Sequence, residues 1–180
     1  MAFGWQGERI RLVPVDADKH LENYFLWLND PEITSGLLVG DRPLTRLNEI
    51  DYLKTIGNDL SEVSFAIETL DGVHIGATGI HRIDHANRTC MTGIFIGDKT
   101  VWGQGLGVDV VRTRARYCFE QLGMQLLRSS HLQGNLRSRG MLLKAGYKEV
   151  GVWPKRFWRD GQFRDEHLFA LLREDWEATN

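Results

Sequence analysis

The sequence is poor in the features that reveal a function by composition. It has two cysteines, Cys90 and Cys118. Two thiols cannot form a disulfide framework, and neither sits in a CxxC metal spacing, so no metal site is expected. Four prolines are scattered without a Pro-rich linker, and there is no repeat or low-complexity tract. Neither charge sign dominates: 22 Lys+Arg stand against 24 Asp+Glu, a formal net charge of -2. The excess of positive charge that phosphate-backbone binding needs is missing, which argues against a nucleic-acid partner. No apolar run could span a bilayer, so no membrane partner is expected. Met1 to Glu8 lack the basic and apolar regions of a signal peptide. The expectation is a soluble cytoplasmic protein.

What is present fits an ordinary globular chain. Its 180 residues predict one domain, residues 1–180, with a sizeable core. Hydrophobic residues make up 42% and charged residues 26%, a common balance. Six tryptophans are many for this length. Some are expected to line surfaces or grooves as well as the core.

The chain alternates strand and helix signals. Residues Glu8 to Val15 read as a strand, with Ile10 and Leu12 set against polar neighbours. Asp16 and Asp18 offer N-caps to a helix with Leu21, Tyr24, Phe25 and Leu28 on one face. The Asn29-Asp30-Pro31 triplet ends it. Thr45 can cap a second helix carrying Leu47, Ile50 and Leu53. A meander follows: Ser64 to Leu70, the Asp71-Gly72 turn, Val73 to Ile80, the turn at Asp84 to Asn87, then Thr89 to Gly97. Val108, Val111, Ala115, Cys118 and Leu122 recur at helical spacing, and Gly123 suits the left-handed position after that helix. Leu126 to Leu132 is a strand, a short helix runs from Asn135 to Gly146, and a hairpin turned by Arg159-Asp160-Gly161 joins Val150–Trp158 to Gln162–Leu172. The order β-α-α-β-β-β-α-β-α-β-β predicts an α+β fold: a mixed, mostly antiparallel sheet with helices on both faces.

The segment Trp102-Gly103-Gln104-Gly105-Leu106-Gly107 joins a strand to the amphipathic helix that starts near Val108. Glycine lets backbone approach a ligand closely, and a helix start offers unpaired N–H groups and the positive end of the dipole. Together they make a cradle for a pyrophosphate. A GxGxxG dinucleotide motif is absent, because positions 108 and 110 are Val. A P-loop is absent too, for want of Gly-Lys-Ser/Thr. Taken alone, GxGxG reads equally well as a plain turn into a helix.

Its surroundings decide between these. The segment resembles the pyrophosphate motif of the GNAT acyltransferase superfamily, Arg/Gln-x-x-Gly-x-Gly/Ala, with Gly105 and Gly107 matching and Trp102 in the Arg/Gln place. It is most similar to the branch of ribosomal-protein N-terminal and spermidine acetyltransferases (RimJ/RimL-like). Trp27 to Glu32, Ile75-Gly76, Asn87-Arg88, Gly93 to Gly97, Asn135 to Ser138, Lys144 to Tyr147, Phe163 to Asp165 and Glu174 to Trp176 extend the resemblance along nearly the whole chain. It implies a GNAT fold, in which the strand Thr89–Gly97 splays from the parallel strand Leu126–Leu132 and the gap takes the pantetheine arm of acetyl-CoA. Phe95 and Ile96 would bond the arm. An N–H near Ile94 or Phe95 would polarise the thioester carbonyl. Trp102, Gly103, Gln104, Gly105, Leu106, Gly107 and Val108 would form the pyrophosphate loop. Asn135 and Ser138 would lie by the arm, although Asn135 also reads as an N-cap. Arg137, Arg139 and Lys144 are candidates for the adenosine phosphate, against the plainer reading of a solvated helix face.

The implied chemistry is direct attack of an amine on the thioester, with a base taking the amine proton. The acceptor could be a protein N-terminus or a small amine. An O-acyltransferase and an acyl-CoA sensor without turnover are the alternatives. Dimerisation is common in the family, so a homodimer joins the expectations. Two places depart from the family pattern. Met91 stands where many relatives carry a Glu, and Leu142 where several carry a Tyr acid. His81 and His131, each at a predicted strand end, are the candidate substitutes, with Glu68 behind them; an ordinary hydrogen-bonded histidine is the plainer reading of each. Cys118, on the core face of its helix, is expected to be inert.

Overall fold

The computed structural model describes residues 4–38, 42–56 and 58–179. Among these residues, eight strands form one sheet. They are β1 (Trp5–Gln6), β2 (Ile10–Pro14), β3 (Val63–Thr69), β4 (His74–Asp84), β5 (Thr89–Ile96), β6 (Leu126–Leu132), β7 (Lys148–Arg159) and β8 (Gln162–Leu172). Their order is β1-β2-β3-β4-β5-β6-β8-β7. Every neighbouring pair is antiparallel except β5 and β6. The helices are α1 (Ala17–Trp27), α2 (Pro31–Thr34), α3 (Arg46–Thr55), α4 (Leu106–Arg116), α5 (Leu136–Lys144) and α6 (Arg173–Glu177).

Most boundaries follow from local chemistry. The Asp16 carboxylate accepts from the N–H groups of Asp18 and Lys19 and starts α1; the Thr45 hydroxyl accepts from Asn48 and starts α3. Gly72, at φ +89°, turns the β3–β4 hairpin, and Asp160 and Gly161, at φ +51° and +74°, turn β7 into β8. Helix α4 continues through a π turn at Tyr117–Gln121 before Gly123 at φ +66°. Three elements were not predicted: β1, α2 and α6. Pro31 does end α1, but it also opens α2, because Asp30 caps that helix and proline suits a first helical turn. The apolar face of α3 differs as well. Leu53 is buried, but Leu47 is exposed and Glu49 takes the inward position.

The alternation of the central strands sorts their side chains. Cys90, Ile80, Ile67 and Leu127 join Val110, Val111, Ala115 and Cys118 of α4 in the main core. Gly79, His81, Met91, Gly93 and Phe95 therefore face the other side, where α1 lies, by the period-2 rule for strands. There Trp27 packs so tightly on Gly97 that a Cβ at that glycine would sit 2.0 Å from the indole. Tyr24 and Trp27 both meet the Phe95 ring edge-on.

Candidate active site

Strands β5 and β6 pair only at their beginnings. Thr89, Cys90 and Met91 match Leu126, Leu127 and Arg128, yet β5 runs to Ile96 and β6 to Leu132. Beyond Met91 the two strands part. The Thr92 carbonyl, no longer in the ladder, accepts from the Ser129 hydroxyl at 3.0 Å.

The direction of the β5 backbone follows from its ladder. Gly97 N–H donates to Ile75 O at 2.9 Å, and Phe95 and Gly93 are the register partners of Ala77 and Gly79. In an antiparallel pair alternate residues bond the same neighbour. Residues 93, 95 and 97 thus bond β4, while 92, 94 and 96 address the gap. This corrects the assignment of Phe95 as a backbone partner for an arm in the gap: its N–H and C=O are spent on β4. The Ile96 carbonyl is occupied by the Trp102 indole N–H at 2.9 Å. The groups left facing the gap are the N–H and C=O of Ile94 and the N–H of Ile96.

The gap leads to the start of α4. Gly105 is the N-cap, with φ +83° and no side-chain capping bond. A Cβ there would meet nothing within 4 Å. The first N–H groups of a helix have no intrahelical acceptor, so those of Leu106 and Gly107 are left to a ligand or solvent at the positive end of the helix dipole. Val108 N–H is bonded to Gly105 O at 3.1 Å. Gly107 allows the start of α4 to pack on α5, since a Cβ would lie 2.8 Å from Met141 Sδ. Gln104 is exposed; its side chain donates to Thr100 O and its carbonyl accepts from Arg9. Exposed Gly103, at φ +78°, precedes it.

Helix α5 starts beside this loop. Arg137 stacks over the Trp102 ring at 4.2 Å. The Asn135 carbonyl oxygen caps α5 by accepting from Ser138 N–H, and its amide donates to Gly36 O at 2.9 Å. Arg159 donates to Leu38 O nearby in the same segment. Residues 36–38 are thus tied down on both sides. Arg139 pairs instead with Glu149, and Lys144 is the last residue of α5, about 12 Å along the helix from its first residue. Of the three cations, Arg137 is the one beside the loop.

The two candidate histidines are not brought together. His81 is partly exposed on the α1 side, with Nδ1 3.3 Å from Glu62. Its Nε2 lies over Gly79, 2.3 Å from where a Cβ would be. Gly79 is the register partner of Gly93, which is itself open. His131 is buried on the core side. It stacks on His167 at 5.0 Å and touches the Phe169 ring. Its Nδ1 donates to Leu132 O, which leaves Nε2 buried without a partner. Burial lowers its pKa below the usual histidine value. Glu68 is buried in a separate cluster. It accepts from Lys19 at 2.5 Å and from His20 Nε2, whose Nδ1 accepts from Asp16 N–H. Beside His20, the His74 Nε2 donates to Gly76 O, and burial lowers His74 to about 4. Cys118 is fully buried and its thiol is pushed up, first by a hydrogen bond with Cys90. Sequence reasoning missed Arg114. It is fully buried on α4, with Nη1 donating to Gly93 O at 2.6 Å and Thr78 Oγ1 at 2.7 Å. The signal was there: Val110, Arg114 and Cys118 are spaced i, i+4, i+8 on the inward stripe.

Comparison with known proteins agrees with this geometry. The profile of the family described as "Acetyltransferase (GNAT) domain" matches residues 9–148. The chain belongs to the GNAT acetyltransferase family. YdaF of Bacillus subtilis, whose name carries a provisional ribosomal N-acetyltransferase assignment, is 28% identical over 108 residues, 60% of this GNAT chain and 58% of that one. The [ribosomal protein uS5]-alanine N-acetyltransferase of Escherichia coli is 31% identical over 88 residues, 48% of this chain and 44% of its own. The matches thus span about half of these curated relatives. Among solved structures, the spermidine N-acetyltransferase of Vibrio cholerae, in complex with CoA and spermine, superposes with a TM-score of 0.84 at 19% identity, covering 93% of this chain and 98% of that one. That likeness establishes the GNAT fold. Among the described residues no helix is long and apolar enough to cross a membrane, and no group of three or more His, Cys, Asp or Glu could hold a metal ion.

Proposed function

We propose that this chain transfers an acetyl group from acetyl-CoA to a primary amine, either a protein N-terminus or a small amine, by direct attack. The carrying observation is the gap between β5 and β6, where Ile94 keeps its backbone groups free and which leads to the uncapped start of α4. Acetyl-CoA suits it well. The pyrophosphate meets the N–H groups of Leu106 and Gly107. The arm bonds Ile94 and Ile96, and Ile94 N–H donates to the thioester carbonyl. Asn135 and Ser138 flank the arm, and Arg137 on Trp102 is the cation for the adenosine end.

The amine approaches on the α1 side, over the floor made by Gly79 and Gly93. His81 is the base. It is partly exposed, Glu62 orients it, and its Nε2 lies above that floor. His131 is buried and already engaged, which favours a structural role. Holding the amine against a polarised thioester supplies a large share of the rate. The reduced thiols of Cys90 and Cys118 suit a cytoplasmic setting. The test is thiol release from acetyl-CoA with a panel of polyamines, amino sugars and peptides bearing free N-termini. Release that depends on one amine class, matched by acetylated product, supports the reading. Tight CoA binding with no release by any amine would convert the protein into a sensor.

A further inference from the structure

Arg114 is 0% exposed, yet it forms no ion pair among the described residues. Its Nε and Nη2 are buried without a hydrogen-bond partner. Nη1 is engaged by Gly93 O and Thr78 Oγ1, with the Tyr147 hydroxyl within reach of the guanidinium. The Thr78 hydroxyl itself donates to Gly93 O at 2.8 Å. Tyr147, fully buried, is the neighbouring phenol, and the thiols of Cys90 and Cys118 lie within its field. A buried cation without a carboxylate is unfavourable unless something else answers its charge.

The covalent geometry shows what could. The carbonyl of Gly93 and the N–H of Ile94 belong to one trans peptide unit, so they point in opposite directions. Gly93 O faces β4 and the guanidinium; Ile94 N–H faces the gap. We infer that Arg114 is a positioning residue for acetyl transfer: by binding Gly93 O it polarises the Gly93–Ile94 peptide and strengthens Ile94 N–H as the donor to the thioester carbonyl. This rests on the reading that acetyl-CoA occupies the gap. Chained hydrogen bonds strengthen one another, and a cation at the head of the chain does so most. In the reaction the amine nitrogen forms a bond to the carbonyl carbon, and the C=O pair moves to oxygen. The oxyanion then collapses as the C–S bond breaks, with its pair leaving on sulfur and the amine proton passing to the base. Negative charge appears on oxygen where Ile94 N–H points, with Arg114 behind that peptide. A role confined to tying α4 to the sheet predicts none of this polarisation.

The experiment reads the bond itself. Isotope-edited infrared spectra of acetyl-CoA labelled with carbon-13 at the carbonyl are recorded free and bound to wild type, Arg114→Lys and Arg114→Met. The carbonyl band should move to lower frequency on binding wild type, return most of the way in Arg114→Met, and lie between in Arg114→Lys. In steady state kcat should fall about 10- to 100-fold in Arg114→Met with KM for acetyl-CoA nearly unchanged. That is less than the 10²–10³ lost when an oxyanion donor is itself removed. Thr78→Val, which removes one donor to Gly93 O but keeps the cation, should give a smaller shift and covers the case in which Arg114→Met does not fold. An unshifted band in bound wild type, or the same shift in every variant, overturns the inference. Failure of wild type to bind acetyl-CoA would overturn the acetyl-transfer reading first, and the inference with it.

Discussion

Replacing Gly105 with alanine separates what this glycine does for the fold from what it does for the ligand. Its φ of +83° is left-handed, and an L side chain there costs about 1–2 kcal/mol. The added methyl meets no protein atom within 4 Å, so that strain is the whole penalty without ligand. For a chain of this size each kcal/mol lowers Tm by about 2–4 °C, giving a loss of about 2–8 °C. On the proposed reading, the same methyl would stand in the space that the pyrophosphate enters to reach Leu106 and Gly107 N–H. Two hydrogen bonds to a charged group, at about 1.5–3 kcal/mol each, are then lost or stretched. At 1.4 kcal/mol per decade, affinity for CoA should fall about 10²- to 10⁴-fold. Gly103→Ala is the control. Its φ is +78° with equally open space, so it should cost similar stability but far less affinity, lying outside the helix start. Thermal melts and isothermal titration read both quantities. A folded Gly105→Ala protein that binds CoA as wild type does would refute the cradle.

Three further outcomes follow from the site. Incubation with acetyl-CoA alone should leave no acetyl group on Cys90 or Cys118 by intact-protein mass spectrometry, because both are buried; an adduct that passes to acceptor would replace direct attack with a covalent route. His81→Ala should lower kcat/KM by about 10²-fold or less, the low end for a general base. A loss of several thousand-fold would make His81 essential and defeat the view that positioning dominates. Stability should decline as pH falls from about 6.5 towards 4. His74 is lowered to about 4 in the folded state against about 6.5 unfolded, so over that window the unfolded chain binds the extra proton and gains on the folded one. The slope from His74 is at most about 1.4 kcal/mol per pH unit. His131, also lowered, pushes the same way, and Glu68, lowered from the carboxylate value of 4.5, adds to the decline only at the acid end of the window and below. Urea melts of His74→Gln across this range should show a shallower decline; an unchanged slope would show that His74 titrates normally.

Local signals carried most of the fold. Asp71-Gly72 and Asp160-Gly161 marked hairpins because those turns demand positive φ, and the stripe Val111, Ala115, Cys118 marked the inner face of α4 because helical spacing leaves no other reading. β1 escaped because two residues carry no period. α2 escaped because Pro31 signals a stop more loudly than a start. The face of α3 was misread because Glu49, a charged residue, takes the buried place while Leu47 stays in solvent. At the site, the glycines were legible, but the direction of the β5 backbone was not. It depends on pairing with β4, a long-range register that moves the free groups from Phe95 to Ile94 and leaves Ile96 with its N–H toward the gap. The contrast between the two histidines has the same origin. His131 shares its face with Leu127 and Ser129 and is buried under neighbours far away in sequence, whereas His81 faces the opposite, more open side.

The central claim, that acetyl-CoA lies between β5 and β6 with its pyrophosphate on the start of α4, is tested most directly by residue-resolved amide exchange with and without acetyl-CoA. The N–H groups of Ile94, Ile96, Leu106 and Gly107 should slow markedly on binding, while Gly93 and Phe95, already bonded to β4, should change little. Protection that falls elsewhere and spares Ile94 and Leu106 would contradict the account.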